Sequence, residues 1–460
     1  MSETLREIEA SWRRQRDFFA SGATRELDAR RRVLKRFKEV LVRFEPRFLE
    51  ALRLDLGKPE FEAYASEIGF LYTDIDETLR NLAKWAKPKR VSTPLVQKPG
   101  KSLIYAEPRG LVLILAPWNY PVQLLLSPLV GAIAAGNAVM LKPSELAPHC
   151  SAVLKDFVAE TFDPAWVHLF EGGAEVAQGL LELRFDHVFF TGSTKLGRVV
   201  AQAAARHLTP VTLELGGKSP CLIDEGVPLD VGARRIVWGK FFNAGQTCVA
   251  PDYLLVPKAE MEVWKRALAS ELREALGEDP ALSPDYARVV NDKHFDRLEG
   301  LLEGASIVIG GRRDRATRYF EPTIVEGLAP DSALLHDEIF GPILPLVPYE
   351  TLEEALRFVA DRPQPLAFYL FTKRSNVERE VLARVSFGGG CVNDTILHVA
   401  NPQLPFGGVG ESGMGRYHGR YSFATFSHFK GVIHKPFAMD PVFRYRPYAK
   451  RIGLIRKMLK

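Results

Sequence analysis

From Gly110 to Leu141 the chain carries no charged residue, although charged residues make up 25% of the whole sequence. A stretch this apolar has to be withdrawn from water, in a membrane or inside a fold. The membrane reading fails on content. Pro117, Asn119, Pro121, Gln123, Pro128 and Asn137 interrupt the stretch, and no clean apolar run of about 20 residues remains. Its parts read instead as a buried strand (111–115), a loop, a buried helix (124–135) ending at Gly136, and a second strand (138–141).

The same grammar continues downstream. Strands at 166–170, 187–190 and 211–215 alternate with helices at 151–161, 175–181 and 194–206 through short connections. Apolar strands separated by helices imply a parallel sheet covered on both faces, with right-handed crossovers. A second round places strands at 219–223, 253–256 and 367–372 and helices at 261–276 and 352–360, so a second α/β domain is expected. Upstream, Leu34, Phe37, Val40 and Leu41 share one helical face, as do Leu79, Leu82 and Trp85, and Lys87-Pro88 ends the last helix. Residues 91–106 read as extended.

A chain of 460 residues is too long for one ordinary domain. Its net charge of +5 gives no reason to expect nucleic acid. The cysteines (Cys150, Cys221, Cys248 and Cys391) form no CxxC pair, so neither a zinc site nor a thioredoxin motif is signalled, and no metal is expected. The start, Met1-Ser2-Glu3-Thr4-Leu5-Arg6, is polar and unlike a secretory leader, which points to a reducing cytoplasm. The end, Lys450-Arg451-Ile452-Gly453-Leu454-Ile455-Arg456-Lys457-Met458-Leu459-Lys460, is basic and amphipathic. Such a segment can touch an anionic membrane, but one so short binds only marginally alone. A solvated tail, or one lying on a partner subunit, is the plainer reading.

Candidate chemistry lies in a few short segments. Phe242-Asn243-Ala244-Gly245-Gln246-Thr247-Cys248 presents a thiol among small residues that let backbone approach a ligand. A thiolate attacks carbonyl carbon, although a lone cysteine is more often an inert buried thiol. Glu214 ends a predicted strand just before Leu215-Gly216-Gly217, where it can act as a general base or be an ordinary strand-end charge. Asn119, between Pro117 and Pro121, is either a turn residue or an amide donor to an oxyanion, working with the Cys248 backbone N–H. Tyr120 and Phe242 suggest an apolar channel beside this chemistry.

No G-x-G-x-x-G follows a strand. Phe190-Thr191-Gly192-Ser193-Thr194-Lys195-Leu196-Gly197 instead links strand to helix and offers N-terminal N–H groups to a phosphate. Arg198-Val199 follows, so it is no Walker A loop. Lys142 and Glu145 are either ribose ligands or surface charges, and Glu338 and Phe340 set an acid near an aromatic. The glycine-rich run 404–415 taken alone reads as a flexible linker.

Taken together, these segments resemble the signature segments of the aldehyde dehydrogenases, in order and spacing, from about Arg14 to Lys430. Gln246 to Tyr253, Asn393-Asp394-Thr395 and Ser412 to Gly419 look like class 3, which oxidises medium- and long-chain aliphatic and aromatic aldehydes with NAD or NADP. The resemblance implies a Rossmann-like cofactor domain (1–87 and 107–213), a catalytic α/β domain (214–419), a small β oligomerisation extension (88–106 and 420–434) and a basic tail (435–460). It makes Cys248 the nucleophile, Asn119 the oxyanion donor and Glu214 the base for hydrolysis. It places Lys142 and Glu145 at the adenosine ribose, Gly192 and Ser193 at the pyrophosphate, and Glu338 and Phe340 at the nicotinamide ribose. Gly197, Leu215 and Gly216 also fall at the cofactor. The retained base argues against a CoA-acylating relative. Glu145 would repel a 2′-phosphate and favours NAD, though class 3 enzymes tolerate NADP. A homodimer is implied, with 91–106 projecting across the partner. Competing readings are a semialdehyde or glyceraldehyde-phosphate dehydrogenase on the same fold, and a non-catalytic binding protein. A phosphorylated or acidic substrate would want Arg or Lys near the channel.

Overall fold

In the computed structural model, which describes residues 3–440, 444–448 and 452–459, the charge-free stretch becomes the centre of the first sheet. The strands Leu111–Leu115 and Ala138–Lys142 and the intervening helix Gln123–Ala135 are buried at every residue. The sheet runs in the order Gly413–Met414, Val211–Glu214, His187–Thr191, Leu111–Leu115, Ala138–Lys142, Val167–Leu169. All pairs are parallel except the first. The chain therefore moves outward from Leu111–Leu115 in one direction and then returns to its other side. The crevice past the strand ends at that reversal is where such sheets bind ligands, and it falls between Pro117–Pro121 and Gly192.

The second sheet holds seven strands, in the order Ser306–Ile309, Thr323–Glu326, Ile343–Tyr349, Tyr253–Pro257, Pro220–Ile223, Ala367–Phe371, Gly389–Val392. Only the first pair is antiparallel. A third, antiparallel sheet joins Lys89–Val91, Lys101–Pro108 and Ser427–His434. The extended reading of 91–106 is broken by a short turn, Leu95–Gln97. The glycine-rich run is not a flexible linker. Gly413–Met414 adds a strand to the first sheet, and a Cβ on Gly408 would lie 2.1 Å from the Ser412 carbonyl oxygen. Its glycines permit close backbone approach rather than motion.

Among the described residues no helix is long and apolar enough to cross a membrane. Within the tail, Ile452–Leu459 is helical, and residues 441–443, 449–451 and 460 lie outside the described residues.

The helix Leu27–Leu56 covers the first sheet by packing on Pro148–Thr161. Phe157 sits within 5.4–5.7 Å, ring to ring, of Phe37, Phe44 and Phe48. Tilted and edge-on aromatic pairs at this spacing add to area burial. Phe157→Ala should cost about 3–5 kcal/mol and appear as a lowered melting temperature in a thermal scan.

Candidate active site

The thiol sits on a turn that the backbone resists. After the helix Leu229–Phe241, Asn243 and Ala244 adopt φ of 53° and 51° and Gly245 a φ of 72°. Left-handed backbone costs about 1–2 kcal/mol per non-glycine residue, so the surroundings have to enforce it. A Glu62 carboxylate oxygen accepts the Asn243 N–H at 2.8 Å. The Asn243 amide donates to the Asn119 carbonyl at 2.9 Å and to the Gln246 carbonyl at 3.2 Å. The Gln246 amide in turn donates to the Arg288 carbonyl at 3.0 Å and accepts from the Val290 N–H at 3.0 Å. Only glycine fits at 245, where a Cβ would lie 2.3 Å from the Gly341 carbonyl oxygen.

This turn delivers Cys248, half-buried, to a cavity of about 280 Å³. Glu214, at the end of its strand, faces the same cavity, and so do Tyr120 and Phe242. Phe61, Phe70, Leu124, Trp238 and Ile396 extend the apolar wall. Both Glu214 carboxylate oxygens are buried without a hydrogen-bond partner among the described residues, and burial pushes the carboxyl well above the ordinary range. Burial also pushes the Cys248 thiol up, and the neighbouring carboxyls of Glu338 and Glu214 push it further. Both groups are held toward their neutral forms.

Asn119 stands behind the thiol loop and is not among the residues lining the cavity. Its side-chain amide donates to the Gln246 carbonyl at 3.0 Å. An amide has two protons, and the second has no partner among the described residues. The Tyr120 hydroxyl shares a 2.6 Å hydrogen bond with the Thr247 hydroxyl. Trp118 packs against His294 and Phe340 rather than on the cavity wall.

The expected cofactor residues come from both sheets. Buried Lys142 donates to Glu145 at 3.0 Å and to the Pro143 carbonyl at 2.9 Å. Ser193 caps the helix Thr194–Ala205 by accepting the Leu196 N–H at 3.4 Å. A Cβ on Gly192 would meet the Phe190 ring at 2.5 Å, and one on Gly197 would meet Leu215 at 2.5 Å. Gly216 leaves room for Glu338, whose carboxylate oxygen would lie 1.9 Å from an added Cβ. The other Glu338 oxygen is buried without a partner, and its carboxyl is pushed up to about 8, chiefly by burial and then by Asp252. An orphaned buried acceptor is what a ribose hydroxyl satisfies. The capped helix start and Lys142 lie at or just past the ends of the two strands that flank Leu111–Leu115, an arrangement that suits a dinucleotide. The residues fit the cofactor.

Sequence reasoning missed Lys58, Glu67, Thr247 and the channel residues Phe61, Phe70, Trp238 and Ile396. Gly57-Lys58-Pro59 reads as an ordinary helix exit, and nothing local distinguishes an inward lysine from a solvated one. Ile396 has a φ of 41°, rare for a β-branched residue, and no local motif announces it.

Two parallel-sheet halves meeting at a thiol and a buried carboxylate, with a capped helix start and an orphaned buried acid that fit a dinucleotide, are what a nucleotide-dependent oxidoreductase acting on carbonyl compounds needs. A sequence model described as "Aldehyde dehydrogenase family" matches residues 3–432, and the chain belongs to that family. It is 48% identical to 4,4'-diaponeurosporen-aldehyde dehydrogenase of Staphylococcus aureus, covering 98% of this chain and 99% of that protein. It is 43% identical to the dimeric NADP-preferring aldehyde dehydrogenase of Rattus norvegicus, covering 92% and 93%. The solved structure of a substrate-bound Staphylococcus aureus AldH superposes with a TM-score of 0.97 at 48% identity, covering 98% and 99%. The protein is an aldehyde dehydrogenase that oxidises aldehydes with NAD or NADP, and the glyceraldehyde-phosphate and non-catalytic readings are not favoured.

Because burial holds the thiol proton, alkylation of Cys248 by iodoacetamide in the cofactor-free protein should be slow at pH 8. It should still be accelerating above about pH 9, beyond the range of a free cysteine. Peptide mass spectrometry at Cys248 against a cysteine peptide reads this directly.

Proposed function

We infer that the substrate is a medium- or long-chain aliphatic aldehyde or an aromatic one. The observation that carries this is the cavity wall. Phe61, Phe70, Tyr120, Leu124, Trp238, Phe242 and Ile396 face the thiol and carboxylate, and no Lys or Arg lines the cavity among the described residues. A phosphorylated or acidic aldehyde would be drawn in without a counter-charge, at a desolvation cost. An apolar tail gains about 0.8 kcal/mol per buried methylene. The Staphylococcus aureus relative is named for 4,4'-diaponeurosporen-aldehyde.

In this reading Cys248 adds to the aldehyde carbon and forms a thiohemiacetal. Asn119 and the Cys248 N–H donate to the oxygen as charge develops on it, where a low dielectric strengthens each contact. Lys142, Glu145, Ser193 and Glu338 would hold the dinucleotide, whose chemistry when bound would be to accept a hydride. Cys248 is left as a thioester, and Glu214 takes a proton from the water that releases the acid. Glu145 favours NAD over NADP by repelling a 2′-phosphate, while the NADP-preferring relative supports use of both. A homodimer is supported by the outer strand Ser427–His434, exposed along nearly all its length, and by the dimeric relative. Four free thiols suit a reducing cytoplasm.

Reduction of NAD⁺ and NADP⁺ should be fast with decanal and benzaldehyde and at least about tenfold slower in kcat/KM with a carboxylated semialdehyde. The reverse order overturns the assignment. Cys248→Ala should abolish turnover. Glu214→Gln should keep a single burst of NADH and lower steady-state turnover by about 10²–10⁴. Since burial raises the Glu214 carboxyl, its ionised form is gained only as pH rises above the ordinary carboxylate range. Hydrolysis should climb with pH through that window, and the climb should vanish in Glu214→Gln.

A further inference from the structure

The helix Leu27–Leu56 ends at Gly57, whose φ of 57° turns the chain inward and whose missing Cβ leaves space for the Arg288 side chain, 2.8 Å from where it would lie. Lys58 then points into the protein with its side chain fully buried. Its ammonium lies 2.5 Å from a Glu67 carboxylate oxygen and 3.2 Å from the Asn119 carbonyl, and 4.1 Å from the centre of the Tyr120 ring. An ammonium has three protons, and these three contacts account for them. Glu67, also fully buried, lies in the single π-helical turn Tyr64–Ile68. Such turns are uncommon and gather at functional sites. Its second oxygen accepts the backbone N–H groups of Val122 and Gln123 at 2.9 and 3.2 Å.

One ion pair therefore grips residues 119–123 from both ends. The cation holds the Asn119 carbonyl and the face of Tyr120, and the carboxylate holds the first turn of the helix Gln123–Ala135. The same Asn119 carbonyl accepts from Asn243, and the Asn119 amide donates to Gln246, in the loop that carries Cys248. The attraction between the two charges adds little net stability by itself, because their desolvation offsets it; what the pair supplies is directed hydrogen bonds to the Val122 and Gln123 N–H groups and the Asn119 carbonyl. Charge is needed here for direction, which packing does not supply. We propose that Lys58 and Glu67 are positioning residues for the reaction: through the Asn119 peptide they aim its amide and fix the oxyanion loop against the thiol loop. This rests on the reading of Asn119 as the oxyanion donor.

The test is a double-mutant cycle on the full-length enzyme with decanal and NAD⁺, read as the single-turnover rate of NADH formation, which product release does not mask. Glu67→Gln keeps the shape and should lower that rate about tenfold or more, with half-saturating aldehyde and NAD⁺ concentrations within about threefold of the parent. Asn119→Ala should lower it about 10²–10³-fold. Groups acting as a unit are not additive, so Glu67→Gln placed on Asn119→Ala should cost less than about threefold more. A full additional tenfold loss in that background, or a lower melting temperature with an unchanged rate, overturns the positioning role while leaving Asn119 in place. An unchanged rate in Asn119→Ala removes the reading beneath, and this inference with it. If Glu67→Gln does not fold, Lys58→Met/Glu67→Gln, which leaves no buried charge of the pair, enters the same cycle with the same expectations.

Discussion

The helix Gln123–Ala135 is buried along its whole length, and the region around its first turn is organised by that fact. A helix start presents N–H groups that no turn of its own can accept, and leaving them buried and unpaired is costly. Glu67 answers two of them. A buried carboxylate then needs a cation, which Lys58 brings from the end of a helix in the N-terminal region. The protons Lys58 has left find the Asn119 carbonyl and the Tyr120 ring. The loop at the site thus inherits its shape from the need to satisfy the end of a helix that the apolar stretch forced inside.

The cavity shows what apolar walls cost a catalyst. Each methylene of an aldehyde tail gains about 0.8 kcal/mol by entering. One unit of raised pKa on Glu214 or Cys248 corresponds to about 1.4 kcal/mol against the charged form. The burial that draws in the substrate is also what raises Glu214 and Cys248. The two effects are reconciled by where charge appears. In a medium of low dielectric, a donor aimed at a developing oxyanion is worth far more than in water, which is the part the proposed reading gives to Asn119 and the Cys248 N–H.

Much of this was legible locally. Five apolar residues at 111–115 make a strand covered on both faces whatever follows them, and Glu214 at the end of such a strand has one direction to face. Cys248 and Asn119 were found through short motifs whose order along the chain is specific. What was not legible depends on partners far apart in sequence. Nothing around Lys58 announces that it will meet Asn119, 61 residues on. Nor does the exposed strand Ser427–His434 announce its pairing with Lys101–Pro108. The run 404–415 looked flexible because glycine has the same composition signature in a linker as in a crowded backbone crossing. Only the neighbours distinguish them.

That crossing ties the two halves together. Gly413 pairs with Glu214 in the first sheet, and the Leu215 N–H donates to the Ser412 carbonyl at 3.1 Å. Glu214 is thus laced to chain that has just left the half carrying the thiol. Swinging the halves apart like a clamshell would unzip this ladder at the Glu214 carboxylate. A wide hinge between the halves would therefore carry the cost of breaking these backbone pairs.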